Sequence, residues 1–167
     1  MISEIIMLRL FSIVEISIEE VALKLACGAK YKNGTPPIVL LRCRSMQDAH
    51  VNMLTHNRRR ASRYLKWTKA SYIRDSIQFV LNITDCFYSN IQIHGNIINE
   101  MRIVRNHVAH RSTSTKNEYL NLLRSRYGGN PNLTLGAFLI SKTRNPISNI
   151  EYYIRAAKIV LNDITKG

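Results

Sequence analysis

The sequence predicts an all-α fold, a compact bundle of about five to six helices. Three observations carry that expectation. Long stretches repeat their apolar residues at helical spacing. Turn-forming Gly and Pro collect mainly at the joints between those stretches, which keeps the connections short. With 46% apolar residues in 167, the chain can bury one core without disulfides or metals. No repeat or low-complexity segment divides it, so one helical domain over residues 1–167 is expected.

Taken in order, Ser3 to Ala26 sets Ile6, Leu10, Ile13, Val14, Ser17, Val21 and Leu25 on one stripe, with Glu20 and Lys24 paired outside it. Gly28 ends this helix, and the run from Lys32 to Pro37 is a turn. Ile38 to Leu41 reads equally as a brief strand or the start of a helix. Ser45 is an N-cap for a helix to Asn57. A long helix is expected from Thr68 to Ile91, broken at His94-Gly95, and another from Asn96 to His110. Ser112 to Thr115 reads as a loop, and Lys116 to Tyr127 as a helix stopped by Gly128-Gly129-Asn130-Pro131. Leu133 to Ile140 is open between helix and extended chain. After Asn145-Pro146, Ser148 caps a final helix to Thr165, with Tyr153, Ala157, Val160 and Ile164 facing inward.

Charge narrows the function. Twenty-four Lys and Arg against eleven Asp and Glu give a net +13 and a pI near 10.1. A surplus of that size favours a polyanionic partner, because neutralising phosphates releases condensed counterions. Nucleic acid leads; an acidic protein or anionic lipid is the alternative. Cys27, Cys43 and Cys86 are odd in number and lack CxxC spacing, so they read as small buried hydrophobes of a reducing compartment, neither a disulfide framework nor a zinc site. Charged residues interrupt the apolar N-terminus, which leaves no uncharged run of about 18 residues to span a membrane and no signal-peptide pattern. A cytoplasmic location is expected.

The chemistry concentrates in Arg105-Asn106-His107-Val108-Ala109-His110. On a helical wheel Ile97, Ile98, Met101, Val104 and Val108 define the buried face, and Arg105 lies at its edge. No carboxylate sits three or four residues from Arg105, so its anion must come from another helix or from a substrate phosphate. His110 lies about 140° round the helix from Arg105. The two can converge if the helix ends near His110 or if two copies meet across a two-fold axis. Asn99, Asn106 and His110 share the outer side with Ile103, which has the character of a partly buried interface.

Arg105, Asn106 and His110, as Arg-Asn-x-x-x-His in a basic helical chain, resemble the signature of the HEPN domain superfamily. The likeness is close over Met101 to Arg111, looser over Thr68 to Ile91 and the last helix, and does not reach residues 1–44. It implies a HEPN-like bundle and a metal-independent endoribonuclease without cofactors. It also implies a homodimer with both motifs lining one cleft, acting as a toxin or phage-defence effector, with an antitoxin protein as a further partner. In that role His110 exchanges a proton with the ribose 2′-OH or the leaving oxygen, Arg105 binds the scissile phosphate, and Asn106 orients His110 or donates to phosphate. The family often adds a polar or acidic residue from an earlier helix. Asp75, Asn82 and Asp85 are the alternatives here, with Asp75 carried forward. The position two after the histidine, a modified tyrosine in some members, is Ser112. Some members only bind, so a non-catalytic module holding RNA or an antitoxin is the second reading.

Arg58, Arg59, Arg60, Arg63, Lys66 and Lys69 interleave with Tyr64, Trp67 and Tyr72. Cations beside aromatic faces suit single-stranded nucleic acid, and RNA contact is expected of the basic residues. Of the aromatics, Tyr64 and Trp67 are expected in the core. His107 and His110 lack the further ligands a metal would need, and no phosphate-cradling glycine loop or nucleophile elbow is present.

Overall fold

The computed structural model describes residues 2–129, 132–143 and 146–167; the turn signals at Asn130-Pro131 and Asn145 fall outside them. Among the described residues there are eight helices and no strand. They are α1 (Ile2–Ala26), α2 (Met46–Thr55), α3 (Ala70–Ile77), α4 (Cys86–Ile93), α5 (Gly95–His110), α6 (Thr113–Tyr127), α7 (Leu135–Ile140) and α8 (Asn149–Lys166). The long α1 packs against α8, α5, α2 and α7, while α6 covers α5 from the other side and α4 lies on α8. The buried side chains form one continuous cluster, with Phe11, Phe87, Phe138 and Tyr153 its largest members. No described helix is long and apolar enough to cross a membrane.

Local chemistry explains most of the boundaries. Ser45, Ser112, Thr134 and Ser148 each accept a hydrogen bond from an N–H in the first turn of the following helix, meeting one of its four unpaired donors. Ser112 therefore starts α6 at Thr113, and the loop expected over Ser112 to Thr115 is the cap and first turn of that helix. Arg111, at φ 43°, takes the left-handed turn that stops α5 directly after His110. The undecided segment before Ile140 is helical from Leu135.

Two expectations are corrected. The helix expected from Thr68 to Ile91 is two helices, α3 and α4, which with α7 raises the count above six. Between them Leu81 pairs with Val39 in an isolated antiparallel bridge, Leu40 N–H donates to Val80, and Asn82 N–H donates to Ile38. That pairing also settles residues 38–41 as extended chain. Asp85 then caps α4 from a fully buried position: its carboxylate accepts from the backbone N–H groups of Ile38 (2.7 Å) and Phe87 (2.9 Å) and from the Tyr31 hydroxyl. A helix through residues 78–85 would forfeit all of these bonds.

The second correction concerns α1. Its buried stripe runs through Met7, Phe11, Val14, Ile18, Ala22 and Leu25, so Ile6 and Ile13 are exposed rather than inward. The helix is apolar on nearly every side up to Ile18, and such a pattern sets no phase. The bulk of Met7 and Phe11 decides which side turns inward. Ile2, Ile5, Ile6, Ile13 and Ile16 are left as an apolar outer face. Cys86 is also exposed, against the expectation for all three thiols; Cys43 is buried and Cys27 half-buried.

Replacing Asp85 by Ala leaves two buried N–H donors and the Tyr31 hydroxyl without their acceptor. The expected cost is about 2–4 kcal/mol, read as a lower urea midpoint, with Tyr31→Phe losing less.

Candidate functional site

Helix α5 presents three faces. Ile98, Met101 and Val104 are fully buried beneath it. Arg105 lies at the flank turned toward α1, and Asn99, Ile103, Asn106 and His110 follow one another along the outer side. Arg105 is half-buried, and its Nη1 donates to Asn106 Oδ1 at 3.1 Å. Among the described residues it forms no ion pair with a carboxylate. Glu15 of α1 is close enough to feel its charge, yet burial raises the Glu15 carboxyl above the usual range more strongly than Arg105 lowers it, and Glu19 raises it further. Glu15 thus faces Arg105 across the α1–α5 contact without closing to an ion pair.

His110 is exposed at the last position of α5 and touches neither Arg105 nor Asn106 through a hydrogen bond. Because α5 stays helical through His110, the two side chains leave the axis about 140° apart, and one chain does not close them on a common phosphate. Asn106 serves Arg105 rather than His110. Asp75 is also separate from the motif: its exposed carboxylate accepts from Gln78 (2.8 Å) and Arg58 (3.4 Å) on the α3 side.

The histidine with an unusual environment is His107, which the spacing to His110 brought up only as a metal ligand. Its ring stacks on Tyr119 with centroids 4.8 Å apart and planes 16° apart, and its Nδ1 is buried without a hydrogen-bond partner. Burial, then the charges of Arg111 and Lys116, lower its pKa, against a smaller opposing effect of Glu4. The sequence signal for it is the presence of Tyr119 and Lys116 on the next helix, readable only once α6 is known to fold back on α5.

The basic run splits into two roles. Arg58 is 9% exposed in its side chain and is bound to the carbonyls of Met53, Asp75 and Ser76, so it anchors the loop and is not available to a ligand. Ser76 Oγ bonds both the N–H and the carbonyl of Lys66, and Trp67 is buried, which staples the same loop to α3. Arg59, Arg60, Arg63 and Lys66 are exposed and Lys69 half-exposed; none of the five forms an ion pair among the described residues. Trp67 is buried as expected, whereas Tyr64 is exposed against the same expectation; Tyr72 is exposed beside it.

The loop adjoins the start of α5, where the Ala70 side chain lies against Gly95. From there a cleft of about 490 Å³ between α5 and α6 is lined by Lys69, Asn96, Asn99, Arg102 and Ile103, with Glu118 and Asn121 opposite. Its two acids are answered internally, Glu118 by Arg102 (3.2 Å) and Glu100 by Arg126 (2.5 Å). The outer face of α5 continues from this cleft to Asn106 and His110, roughly 21 Å from Asn96 along the axis. No group of three or more His, Cys, Asp or Glu side chains that could hold a metal occurs among the described residues.

Fold and surface together define a basic, all-helical protein with a cationic loop at one end of a half-buried face of α5 and an arginine–histidine motif at the other. The chain matches no known protein family, no curated protein and no solved structure.

His107 is expected to make stability acid-sensitive. Its folded-state pKa lies below the unfolded one, so folding favours the neutral ring. That contribution is complete above about pH 6.5 and is lost as the pH falls from there through the depressed folded value. Melting temperatures taken between about pH 7.5 and pH 5 should fall more for the parent than for His107→Phe, which keeps the stack on Tyr119 and does not titrate.

Proposed function

We propose that the chain is a metal-independent endoribonuclease of HEPN-like type, with Arg105, Asn106 and His110 as its active residues and a homodimer as its working form. The observation that carries this reading is Arg105: a half-buried guanidinium whose hydrogen-bond partner is a neutral amide, in a chain of net +13. A phosphate would give the guanidinium the direct ion pair that Glu15 does not close. His110, exposed and free to approach a ribose, would act as the proton-transfer group. The 2′-OH is then the nucleophile, and a 2′,3′-cyclic phosphate the product.

The divergence of Arg105 and His110 on one helix makes the dimer a requirement of the mechanism, with Arg105 of one copy facing His110 of the other. The exposed isoleucines on the outer face of α1 would give such a contact an apolar surface. A toxin or defence role, and an acidic antitoxin neutralising the cationic surface, follow from the same reading. The same divergence favours a second reading, a module that holds RNA without cutting it.

RNA cleavage in excess EDTA separates the two. Arg105→Ala and His110→Ala are each expected to lower the rate by roughly 10²–10⁴ while the fold survives. A one-to-one mixture of the two variants should regain part of the activity, because a mixed dimer keeps one intact site. Cleavage untouched by either variant, or dependent on a divalent metal, contradicts the nuclease reading; binding with no cleavage supports the module.

A further inference from the structure

The loop of residues 58–69 carries a feature the cleavage motif does not use. Tyr64 is 63% exposed and Tyr72 43% exposed, two large aromatic faces left in water. The Lys66 ammonium lies over both, 5.3 Å from the Tyr64 centroid and 5.0 Å from that of Tyr72, and Lys69 lies 5.8 Å from Tyr72. The rings are the partners these two ammonium groups find, since neither forms an ion pair among the described residues. Arg59, Arg60 and Arg63 bring three more unanswered cations to the same loop. The neighbouring carboxylate, Asp75, is occupied by Arg58 and Gln78.

The backbone beneath is held firmly although it is not helical. Ser62 N–H donates to Leu54, Lys66 is bonded through both its backbone groups to Ser76, and Trp67 is driven into the core. Burying Trp67 fixes Tyr64 and Tyr72 on the outside, where they contribute little to stability. A ligand that suits this surface offers flat π faces and closely spaced negative charge together. An acidic polypeptide offers only the charge, and duplex RNA hides its base faces within the stack.

We infer that Tyr64 and Tyr72, with Lys66 and Lys69 between and beside them, form a base-stacking subsite for single-stranded RNA, separate from the Arg105–His110 motif. A base laid on either ring brings its phosphate beside Lys66 or Lys69, which exchange the ring face for the anion. The subsite rests on the reading that RNA is the ligand, but not on cleavage. It gives the chain a preference for unpaired strands over duplex, and it holds the strand at the end of α5 from which the outer face leads to His110.

The test uses the full chain and a labelled single strand of about 12 nucleotides with 2′-O-methyl riboses, which cannot be cut through the 2′ oxygen, so that binding is read whether or not the protein is a nuclease. Tyr64→Ala/Tyr72→Ala is expected to weaken single-strand binding at least tenfold with no change in the salt dependence. Tyr64→Phe/Tyr72→Phe, which keeps both rings, should stay within about threefold of the parent. Arg59→Ala/Arg60→Ala/Arg63→Ala should instead flatten the salt dependence. Circular dichroism checks that the variants fold. Binding by the double alanine variant equal to the parent overturns the proposal. So does equal or tighter binding of blunt duplex RNA or polyglutamate, or failure of the parent to bind the single strand. Tyrosine-dependent binding without any cleavage of ordinary RNA leaves the subsite standing and removes the nuclease reading.

Discussion

The buried carboxylate of Asp85 is the interaction on which the arrangement of this molecule depends. It joins the hydroxyl of Tyr31, the N–H of Ile38 and the N–H of Phe87, and so ties the extended connection after α1 to the start of α4. A charge in a protein interior is tolerated only when its oxygens are satisfied, and three donors satisfy this one. The consequence is a break in what would otherwise be one long helix. With α3 and α4 separated, α3 is free to lie against α2 and the first turn of α5, carrying the cationic loop with it. Had residues 68–91 stayed one rod, the loop could not reach that end of α5.

That geometry gives the half-buried outer face of α5 two distinct ends. At the Gly95 end are exposed cations and Tyr64 on a loop pinned by Arg58, Ser76 and Trp67, with Tyr72 beside them in the first turn of α3. At the His110 end the helix is stopped by the left-handed turn at Arg111, and Arg105, with Glu15 of α1 near it, forms no ion pair among the described residues. The ion pairs of the intervening cleft, Arg102–Glu118 and Arg126–Glu100, hold α6 on α5. They also remove the acids that would otherwise oppose a phosphate backbone. Positive charge thus remains where nothing inside the chain uses it, and is cancelled where it would hold helices together.

Much of the fold was legible where chemistry is local. Ser45 and Ser148 announced their helices because a cap is a contact between near neighbours, and the α5 face was legible because Ile98, Met101 and Val104 stand among polar residues. What failed were features decided at a distance. Asp85 and Asn82 look like ordinary residues of a long helix until Tyr31, Ile38 and Leu40 arrive to pair with their surroundings. The phase of α1 could not be read because apolar residues occupy nearly every side of it, and only packing against α5 and α8 selects Met7 and Phe11 over the outer isoleucines. Among the site residues, Arg105 and His110 stood out by type and spacing. The structural role of Arg58 and the buried environment of His107 belong to contacts with α3 and α6, which no local pattern encodes.

On the proposed reading, one strand of RNA runs from the cationic loop along the outer face of α5. Photo-crosslinking of 4-thiouridine RNA to the intact protein, with the attached peptides mapped by mass spectrometry, tests this directly. Crosslinks in residues 59–72 together with residues 99–111 are the predicted result. Crosslinks gathered instead around Lys24, Lys32 and Lys158, in the cleft between α1 and α8, would contradict it.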